Sequence, residues 1–456
     1  MRRVVKVSRI RIIITIIVVV LTTLLTGCTG KEPNEIAYVV ALGIDSTDDD
    51  NYKITIQYAN TTQISGGASE SGGKAGSEIV DNVTIEAPNI YAGVGLANNI
   101  VSKSFSMSHA KLIVFSKEIA EKGVKDMIET LVRSEEIRPD VFIAVANTTA
   151  NDYLTSVNPE MEVNPAQYYQ LIYQKNQLVG IPDGQLREFF TGLYTDNYDS
   201  ILPVAGVIEG AGGNSQNDDK GQSKDGQNEG SEGSSESLDS FESKSSDDKD
   251  ENEKEKDAEK NTSKYEYDIK NYVGGETAIE KKNKAEAIGA AVFEKDKMVG
   301  ELGEVETEIC KMLKGDYTYS YLTYYNNDTP DIPITVKTTQ QKKPKYKIDT
   351  DKKTVDIELY IESDLYSLPA DYNVENKIED FERDVANYTS SACTEFINNL
   401  TKKYNSDILK LNEKVKYKFL TNNQYNWFKK NVGWSEYKFS VCTNFKVRRT
   451  GLIVRE

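Results

Sequence analysis

A stretch of the chain that is almost devoid of large apolar side chains separates two halves that are rich in them. Residues 210–265 are mostly serine, glycine, asparagine, aspartate, glutamate and lysine, with Leu238 and Phe241 almost the only large apolar residues. Positions 211–260 hold 16 acidic residues and 7 lysines. Such a segment cannot bury enough apolar surface to offset the entropy lost on ordering. We therefore predict a disordered acidic insert, which is either an electrostatic spacer or, as we favour, a tolerated loop expansion.

The segments on either side of this insert both have the character of strands. Val204–Ile208 precedes the insert and Ile288–Phe293 follows it, so the two strands can lie in one sheet. The insert is then a loop of one small domain rather than a linker between domains. A length of 456 residues is enough for two or three domains in all.

The beginning of the chain has the composition of a secretion signal. Basic residues between Arg2 and Arg11 precede an uncharged run of 14 residues, Ile12–Leu25. This run is shorter than the roughly 20 apolar residues that a membrane-spanning helix needs, and a short transmembrane anchor with an incidental cysteine is the alternative. The ending Leu25-Thr26-Gly27-Cys28 resembles a bacterial lipobox. That resemblance implies removal of residues 1–27 and a lipid-modified Cys28, an N-palmitoyl, S-diacylglyceryl cysteine.

The net charge of the chain after Cys28 indicates that membrane attachment would depend on the lipid. Loss of residues 1–27 takes the formal net charge from −17 to about −22, and an anionic leaflet repels a body of that charge. Two acyl chains hold a protein stably at a membrane, whereas one gives only marginal binding. We therefore expect the lipid to provide the membrane attachment. The folded part should lie outside the membrane, at a distance from its outer face.

The residue inventory excludes several classes of function. The acidic net charge of −17 argues against nucleic-acid binding, which needs a basic surface. His109 is the single histidine, which excludes a multi-histidine metal site, and we expect it to be a structural hydrogen-bonding residue. Cys310, Cys393 and Cys442 are widely spaced, and we expect buried free thiols, with one disulfide outside the cell as the alternative. The sequence predicts no catalytic residue, no cofactor and no metal site.

Hydrophobic periodicity predicts alternating strands and helices before the insert. Strands are predicted at 36–44, 52–58, 83–85, 109–115, 141–146 and 204–208, and helices at 88–103, 116–133 and 162–194. Ser116 is a suitable N-cap for the second helix. Gly93 and Gly95 lack the third glycine of a dinucleotide-binding fingerprint, so we interpret them as helix-packing glycines. The acidic turn after Asp45 lacks the spacing of a calcium-binding EF-hand loop, and we favour a solvated hairpin turn.

The second half continues with a different order of elements. We predict a hairpin around 294–297, a helix at 303–314, strands at 317–325, 333–338 and 353–362, a long helix from Val374 and a final strand Tyr437–Val454. Runs of strands and a late long helix are typical of an α+β arrangement.

Several short motifs occur in a characteristic order along the chain. They are Asn34-Glu35-Ile36-Ala37 with Ala41-Leu42-Gly43-Ile44-Asp45, Phe105-Ser106 with Ser108-His109 and Lys111, Ile119-Ala120 with Gly123, Glu135-Glu136-Ile137-Arg138-Pro139, Tyr404 with Ser406-Asp407-Ile408, and Arg448-Arg449-Thr450-Gly451-Leu452. Together with the lipobox, they resemble the C-subunit lipoproteins of spore germinant receptors, the Ger(x)C family. The resemblance covers the chain after Cys28 apart from the acidic insert. Thr29-Gly30-Lys31 departs from the Trp-Asp type residues that are common in the family after the cysteine.

The resemblance implies an α+β fold class, an elongated, multi-domain mixed α/β body of three domains after a lipoprotein signal peptide. The predicted division is 1–27 signal peptide, 28–200 N-terminal α/β domain, 201–325 small middle domain with the insert 210–265, and 326–456 C-terminal α/β domain with the long helix. It also implies a non-enzymatic scaffold and signalling subunit that works with integral-membrane A and B subunits. The implied location is the outer face of the cell membrane, which is the inner membrane of the spore.

Two other functions stay open on the sequence alone. A lipoprotein that binds a solute for a membrane transporter is the second candidate, and it predicts a two-lobed fold that closes on a ligand. An anchored hydrolase is third, because the sequence contains no distinct nucleophile–histidine–acid set.

Overall fold

Continuous apolar runs in the first half of the chain become the central strands of a nine-stranded sheet. A computed structural model describes residues 13–17, 35–49, 51–59, 80–158, 162, 164–174, 180–195, 197–208, 271–277, 283–326, 329–368 and 377–450. The strands of this sheet are β1 Ile36–Ser46, β2 Tyr52–Ala59, β3 Val80–Ala87, β4 Ser104–Ser106, β5 Leu112–Ser116, β6 Phe142–Ala146, β7 Ile201–Val207, β8 Ala285–Glu294 and β9 Lys297–Leu302. Their order is β3-β2-β1-β5-β6-β7-β8-β9, with β4 beside β1. The neighbours from β1 through β5 and β6 to β7 are parallel, and the outer pairs are antiparallel.

Helices cover both faces of this sheet, which explains why all five residues of β5 and of β6 are buried. The helices are α1 Ile90–Ala97, α2 Lys117–Lys122, α3 Lys125–Val132, α4 Ala150–Ser156, α5 Pro165–Gln174 and α6 Leu186–Thr195. The buried residues of α1, α2, α3 and α6 pack in one core, and those of α4 and α5 pack in a second core on the opposite face. The first half is thus a three-layer α/β/α arrangement.

The second half builds a five-stranded sheet against a long helix. Its strands are β10 Tyr319–Asn326, β11 Thr329–Gln340, β12 Lys345–Asp349, β13 Thr354–Ser367 and β14 Lys438–Arg449, and its helices are α7 Glu304–Lys314, α8 Ile378–Lys403, α9 Leu411–Val415 and α10 Asn422–Asn431. β11 and β12 share one edge of β13, and β14 runs parallel to the other edge. Buried residues of α7, α8 and β14 meet in one core with those of β12 and β13.

The pairing of β7 with β8 confirms that the strands before and after the acidic insert lie in one sheet. Ile201 is opposite Val292 and Val207 is opposite Ala285 in an antiparallel register. The mixed α+β class is confirmed as well. The described residues belong to one compact unit, Met1–Glu209 with Asn271–Glu456, and the three-domain division stays a prediction. The insert 210–265 and Cys28 lie outside the described residues, as does the predicted signal peptide apart from a helical stretch at 13–17.

Several predicted elements have different bounds in the structure. The helix predicted over 116–133 begins at the predicted N-cap, Ser116, but is broken at Gly123, whose φ of +124° favours glycine and ends α2. The helix predicted over 88–103 ends at Ala97, and His109 lies in a turn rather than in β5. The long helix begins at Ile378, and β12 was not predicted. Three of its five residues are charged, so its apolar signal is weak.

Candidate functional site

The residues that follow the long helix α8 connect the second sheet to the β8–β9 hairpin of the first. α8 ends at Lys403, and the Ser406 hydroxyl donates to the carbonyl oxygen of Phe293 at 2.7 Å. The side-chain amide of Asn405 donates to the Glu294 carboxylate at 2.7 Å. Residues 404–407 therefore form a fixed junction, here called the 404–407 junction, between elements that are more than 100 residues apart in sequence.

Two carboxylates, that of the half-buried Asp199 and that of the buried Asp407, hold this junction together through backbone N–H groups. Asp199 accepts from the N–H of Lys295 and from the N–H of Asp407, both at 2.8 Å. Asp407 accepts from the N–H groups of Leu411 and Asn412 at 2.7 and 2.8 Å, which are orphan donors at the start of α9. A carboxylate at a helix N-terminus is also favoured by the helix dipole. The two carboxylates thus accept hydrogen bonds from four backbone N–H groups, of which that of Leu411 is buried.

Burial sets the protonation behaviour of both carboxyl groups. Burial raises the pKa of Asp407 to about 7, against the lowering effect of the N–H groups of Asn412 and Leu411 and with a further rise from neighbouring Asp199. Burial also raises the pKa of Asp199, opposed by the N–H groups of Lys295 and Asp407. Two nearby carboxyl groups of this kind titrate as a pair rather than independently.

The aromatic ring of Tyr404 packs the 404–407 junction against β9, the second strand of the β8–β9 hairpin. Tyr404 is 8% exposed and lies directly over Gly300 of β9. A Cβ atom at position 300 would lie 2.2 Å from Cε1 of this ring, so the close approach requires glycine. The sequence motif Tyr404-x-Ser406-Asp407 therefore contributes three side chains to one packed contact.

A cleft of about 780 Å³ opens beside the 404–407 junction. Its lining includes Lys295, Lys429, Lys430, Asn412 and Asn426, together with Asp199, Glu294, Tyr404, Ser406 and Asp407. At its margin, Lys410 pairs with Glu188 at 2.5 Å and lies 4.1 Å from the ring centroid of Tyr198. Burial raises the pKa of Tyr198 far above its ordinary value, so this phenol stays protonated. Both signs of charge and several amides face the cleft, which suits a small polar solute.

One hydroxyl and two carboxylate side chains at the cleft already have backbone partners. The Ser406 hydroxyl is committed to a backbone carbonyl, and the Asp199 and Asp407 carboxylates are committed to backbone N–H groups. His109 lies in the turn before β5, not at the cleft, and stacks edge-on against Tyr38 with ring centroids 4.7 Å apart. Its Nδ1 lies 3.0 Å from the Ser108 hydroxyl, as a structural hydrogen bond.

The other predicted residues are distributed over the fold. Cys310, Cys393 and Cys442 are free; the first two are buried as predicted, whereas Cys442 is exposed, because its side chain points out from β14. Among the described residues, no group of three or more histidine, cysteine or acidic side chains could hold a metal ion. Within the same part of the chain, no helix has both the length and the apolar character to cross a bilayer.

Two buried or half-buried aspartates, Asp199 at the site and Asp45 at α4, have no local sequence signal that identifies their role. Asp199 stands in a polar connection before β7, and only its partners across the fold reveal its role. Asp45, expected in a solvated hairpin turn, is 3% exposed and accepts from the N–H of Ala150 and of Asn151 at 2.6 and 3.0 Å. It fixes the first turn of α4 rather than facing solvent.

Comparisons with known proteins match both halves of the chain to one group. A spore germination protein N-terminal domain model matches residues 30–207, and a spore germination B3/GerAC-like C-terminal model matches residues 288–451. Spore germination protein KC of Bacillus subtilis (strain 168) is 26% identical over 174 residues, 35% of this chain and 42% of that protein. The putative spore germination protein YfkR of the same strain is 28% identical over 145 residues, 32% of this chain and 37% of that protein. The alignments thus span about two fifths of these curated relatives.

A solved structure also resembles the chain. The crystal structure of the GerBC protein covers 89% of this chain and 96% of its own length, with a TM-score of 0.47 and 14% sequence identity.

Proposed function

Because the chain belongs to the spore germination B3/GerAC-like family, we propose that it is the lipoprotein subunit of a spore germinant receptor. The observation that carries this proposal is the match of both halves, 30–207 and 288–451, to germination domain models in the order of the chain. Only the region that contains the acidic insert falls between the two matches. The subunit acts as a non-enzymatic scaffold and signalling component beside integral-membrane A and B subunits.

The attachment that we propose is a lipid at Cys28, on the outer face of the cell membrane that becomes the inner membrane of the spore. The lipobox-like Leu25-Thr26-Gly27-Cys28 supports this attachment. Two acyl chains confine the folded part beside its partners, where weak contacts suffice because the effective concentration is high.

The absence of enzymatic activity that we propose is supported by the site. Ser406 and Asp407 of the 404–407 junction, and Asp199 that bonds to it, hold backbone groups, so these side chains stabilise the fold. The 404–407 junction connects the two sheets through several hydrogen bonds, which suits a protein that transmits or supports rather than catalyses.

A lipid-site variant tests the proposal in spores. Cys28→Ala should release the protein from the membrane fraction and slow germination with nutrients. Germination induced by a trigger that bypasses nutrient receptors should proceed at its normal rate. Cys442→Ala removes an exposed cysteine from the second sheet and is the matched control, which should leave both readouts unchanged. Normal nutrient germination with a mislocalised Cys28→Ala protein would contradict the proposal.

The cleft favours one alternative function, a lipoprotein that binds a solute for a membrane transporter. Its volume of about 780 Å³ and its charged and amide lining are in the range of small-molecule sites. Solute binding predicts that a small polar compound raises the melting temperature in proportion to the logarithm of its concentration. Lys430→Gln should weaken that effect, and no stabilisation across a panel of amino acids, sugars and nucleosides would contradict the alternative.

A further inference from the structure

The connection between α9 and α10 presents lysines and large apolar side chains together to solvent. We name this set the basic–aromatic surface, formed by Lys416, Tyr417, Lys418, Leu420, Trp427 and Lys430. Tyr417 is 75% exposed, Leu420 is 95% exposed and Trp427 is 69% exposed. Several large apolar side chains exposed within one short segment are typical of an interaction surface.

The apolar part of this surface stands on a packed support. Phe419 and Phe428 have ring centroids 4.9 Å apart, and they are the chain neighbours of Leu420 and Trp427. On α10, Tyr425 is buried at 4% exposure, so the helix directs this ring inward while Trp427 faces outward. Leu420 and Trp427 are therefore exposed on an ordered, packed part of the structure.

The charge of this region is opposite to that of the chain. Residues 410–434 contain six lysines and one acidic residue, Glu413, in a protein of formal net charge −17. Lys416 lies 5.7 Å from the ring centroid of Tyr425, and Lys418 donates to the carbonyl oxygen of Ile348. The ring and the carbonyl supply no negative charge to these lysines, although the Asp349 carboxylate lies near Lys418 and offsets part of its charge.

We propose that the basic–aromatic surface docks on the anionic headgroups of a lipid bilayer, with Leu420 and Trp427 at the level of the headgroups. Tryptophan and tyrosine concentrate at membrane–water interfaces, and lysines near an anionic leaflet are attracted to it. This contact builds on the membrane attachment proposed above and adds a second, protein-borne contact to it. It also reverses the expectation that the whole acidic body stands off an anionic leaflet.

Two other occupants fit the surface less well. The acidic segment 210–265 has the complementary charge, but Leu238 and Phe241 are almost its only large apolar residues, against three exposed on the surface. An acidic protein would also match the lysines. However, a side chain that is 95% exposed, as Leu420 is, protrudes rather than lining a groove into which a partner fits. A bilayer interface accepts protruding side chains without a matching pocket.

Tryptophan fluorescence of the full chain reports on this contact directly. Trp427 and Trp434 are the only tryptophans, and Trp434→Phe leaves Trp427 as the single reporter. The protein is mixed with vesicles of phosphatidylcholine, alone or with about 40 mol% phosphatidylglycerol, that carry brominated acyl chains. We expect Trp427 emission to fall at least about twofold with the anionic vesicles only, and to recover at about 500 mM salt.

Matched charge variants separate the surface from general electrostatics. Lys416→Gln with Lys418→Gln and Lys430→Gln should abolish the quenching. Lys122→Gln with Lys125→Gln and Arg133→Gln removes the same charge from exposed positions around α2 and α3, and should preserve it.

Three outcomes would overturn the proposal. They are equal quenching by neutral and anionic vesicles, no quenching by either, and a Trp427 already shielded from aqueous acrylamide before vesicles are added. The last outcome would mean that the acidic segment or a second copy covers the surface. Flotation with neutral vesicles reports the Cys28 anchor separately, so a failed anchor and a failed surface give different results.

Discussion

The carboxylate of Asp199 accepts a hydrogen bond at 2.8 Å from the backbone N–H of Asp407, which lies 208 residues later in the chain. The carboxylate of Asp407 in turn accepts from two N–H groups at the start of α9. Asp199 therefore links a connection in the first half of the protein to backbone in the second half, and Asp407 extends this link to the start of α9. Their substitution should reveal how strongly the two sheets depend on each other.

Removal of the Asp407 carboxylate should destabilise the protein strongly. Asp407→Ala leaves the buried N–H of Leu411 and the half-buried N–H of Asn412 without acceptors, and we expect the free energy of unfolding to fall by about 2–4 kcal/mol. Urea denaturation followed by circular dichroism measures this change. Asp351→Ala, at an exposed turn, is the control and should shift the free energy by less than about 0.5 kcal/mol. Equal effects of the two substitutions would refute the role given to Asp407.

Stability should fall as the pH rises from about 4 to about 7. The folded protein holds a proton on Asp407, whose pKa burial raises to about 7, over a range in which the unfolded chain has already lost it. The contribution is thus fully present below the unfolded pKa and is lost as the pH rises through the folded value, with a slope of up to about 1.4 kcal/mol per pH unit.

Asp407→Asn isolates this titration, because the amide has no proton to lose in that range. Urea denaturation across the pH range should give a shallower slope for this variant than for the natural chain. Some slope of the same sign should persist, since burial raises the pKa of Asp199 as well. An unchanged slope in Asp407→Asn would show that other groups control the pH dependence.

Two glycines on one helix should respond to alanine in opposite directions. In α1, a Cβ at Gly93 would lie 2.6 Å from Cδ1 of the buried Ile54, whereas a Cβ at Gly95 meets nothing within 4 Å. We expect Gly93→Ala to cost about 1–3 kcal/mol through overpacking and Gly95→Ala to add about 0.5–1 kcal/mol through helix propensity. Melting temperatures of the two variants provide the comparison, and a stabilising Gly93→Ala would show that Ile54 can move aside.

The three described cysteines should differ sharply in reactivity. Burial raises the pKa of Cys310 to about 11 and that of Cys393 to about 12, whereas Cys442 is exposed. In a Cys28→Ala background, a thiol reagent near pH 8 should modify Cys442 alone in the native protein and all three after unfolding. Adding Cys442→Ala should abolish native labelling, and rapid labelling of Cys310 would contradict the buried position assigned to it.

Strong apolar patterns made much of the fold predictable. The runs that became β1 and β6 are buried on both faces, so their hydrophobicity alone identifies them. The Ser116 cap and the β8–β9 hairpin follow from local chemistry, which the sequence carries within a few residues. The formation of those elements can be predicted without knowledge of contacts between residues far apart in the sequence.

The remainder depended on contacts that the sequence does not encode locally. Gly95 was interpreted as a packing glycine like Gly93, but only Gly93 faces a neighbour, which the spacing of two glycines does not distinguish. Asp45 belongs to an acidic cluster that resembles any solvated turn until α4 is placed against it. Asp199 is recognisable only beside Asp407, because a pairing over 208 residues leaves no periodic pattern.

The antiparallel pairing of β7 with β8 has a consequence for how sequences of this kind can diversify. The chain leaves the sheet after Val207 and re-enters it at Ala285, directly opposite, so the register of the pair is independent of how many residues intervene. Closure entropy grows only with the logarithm of loop length, so each doubling costs about 0.6 kcal/mol. The end of the β7–β8 pair is thus a natural insertion point, where evolution can lengthen the polypeptide or an experimenter can insert a reporter domain.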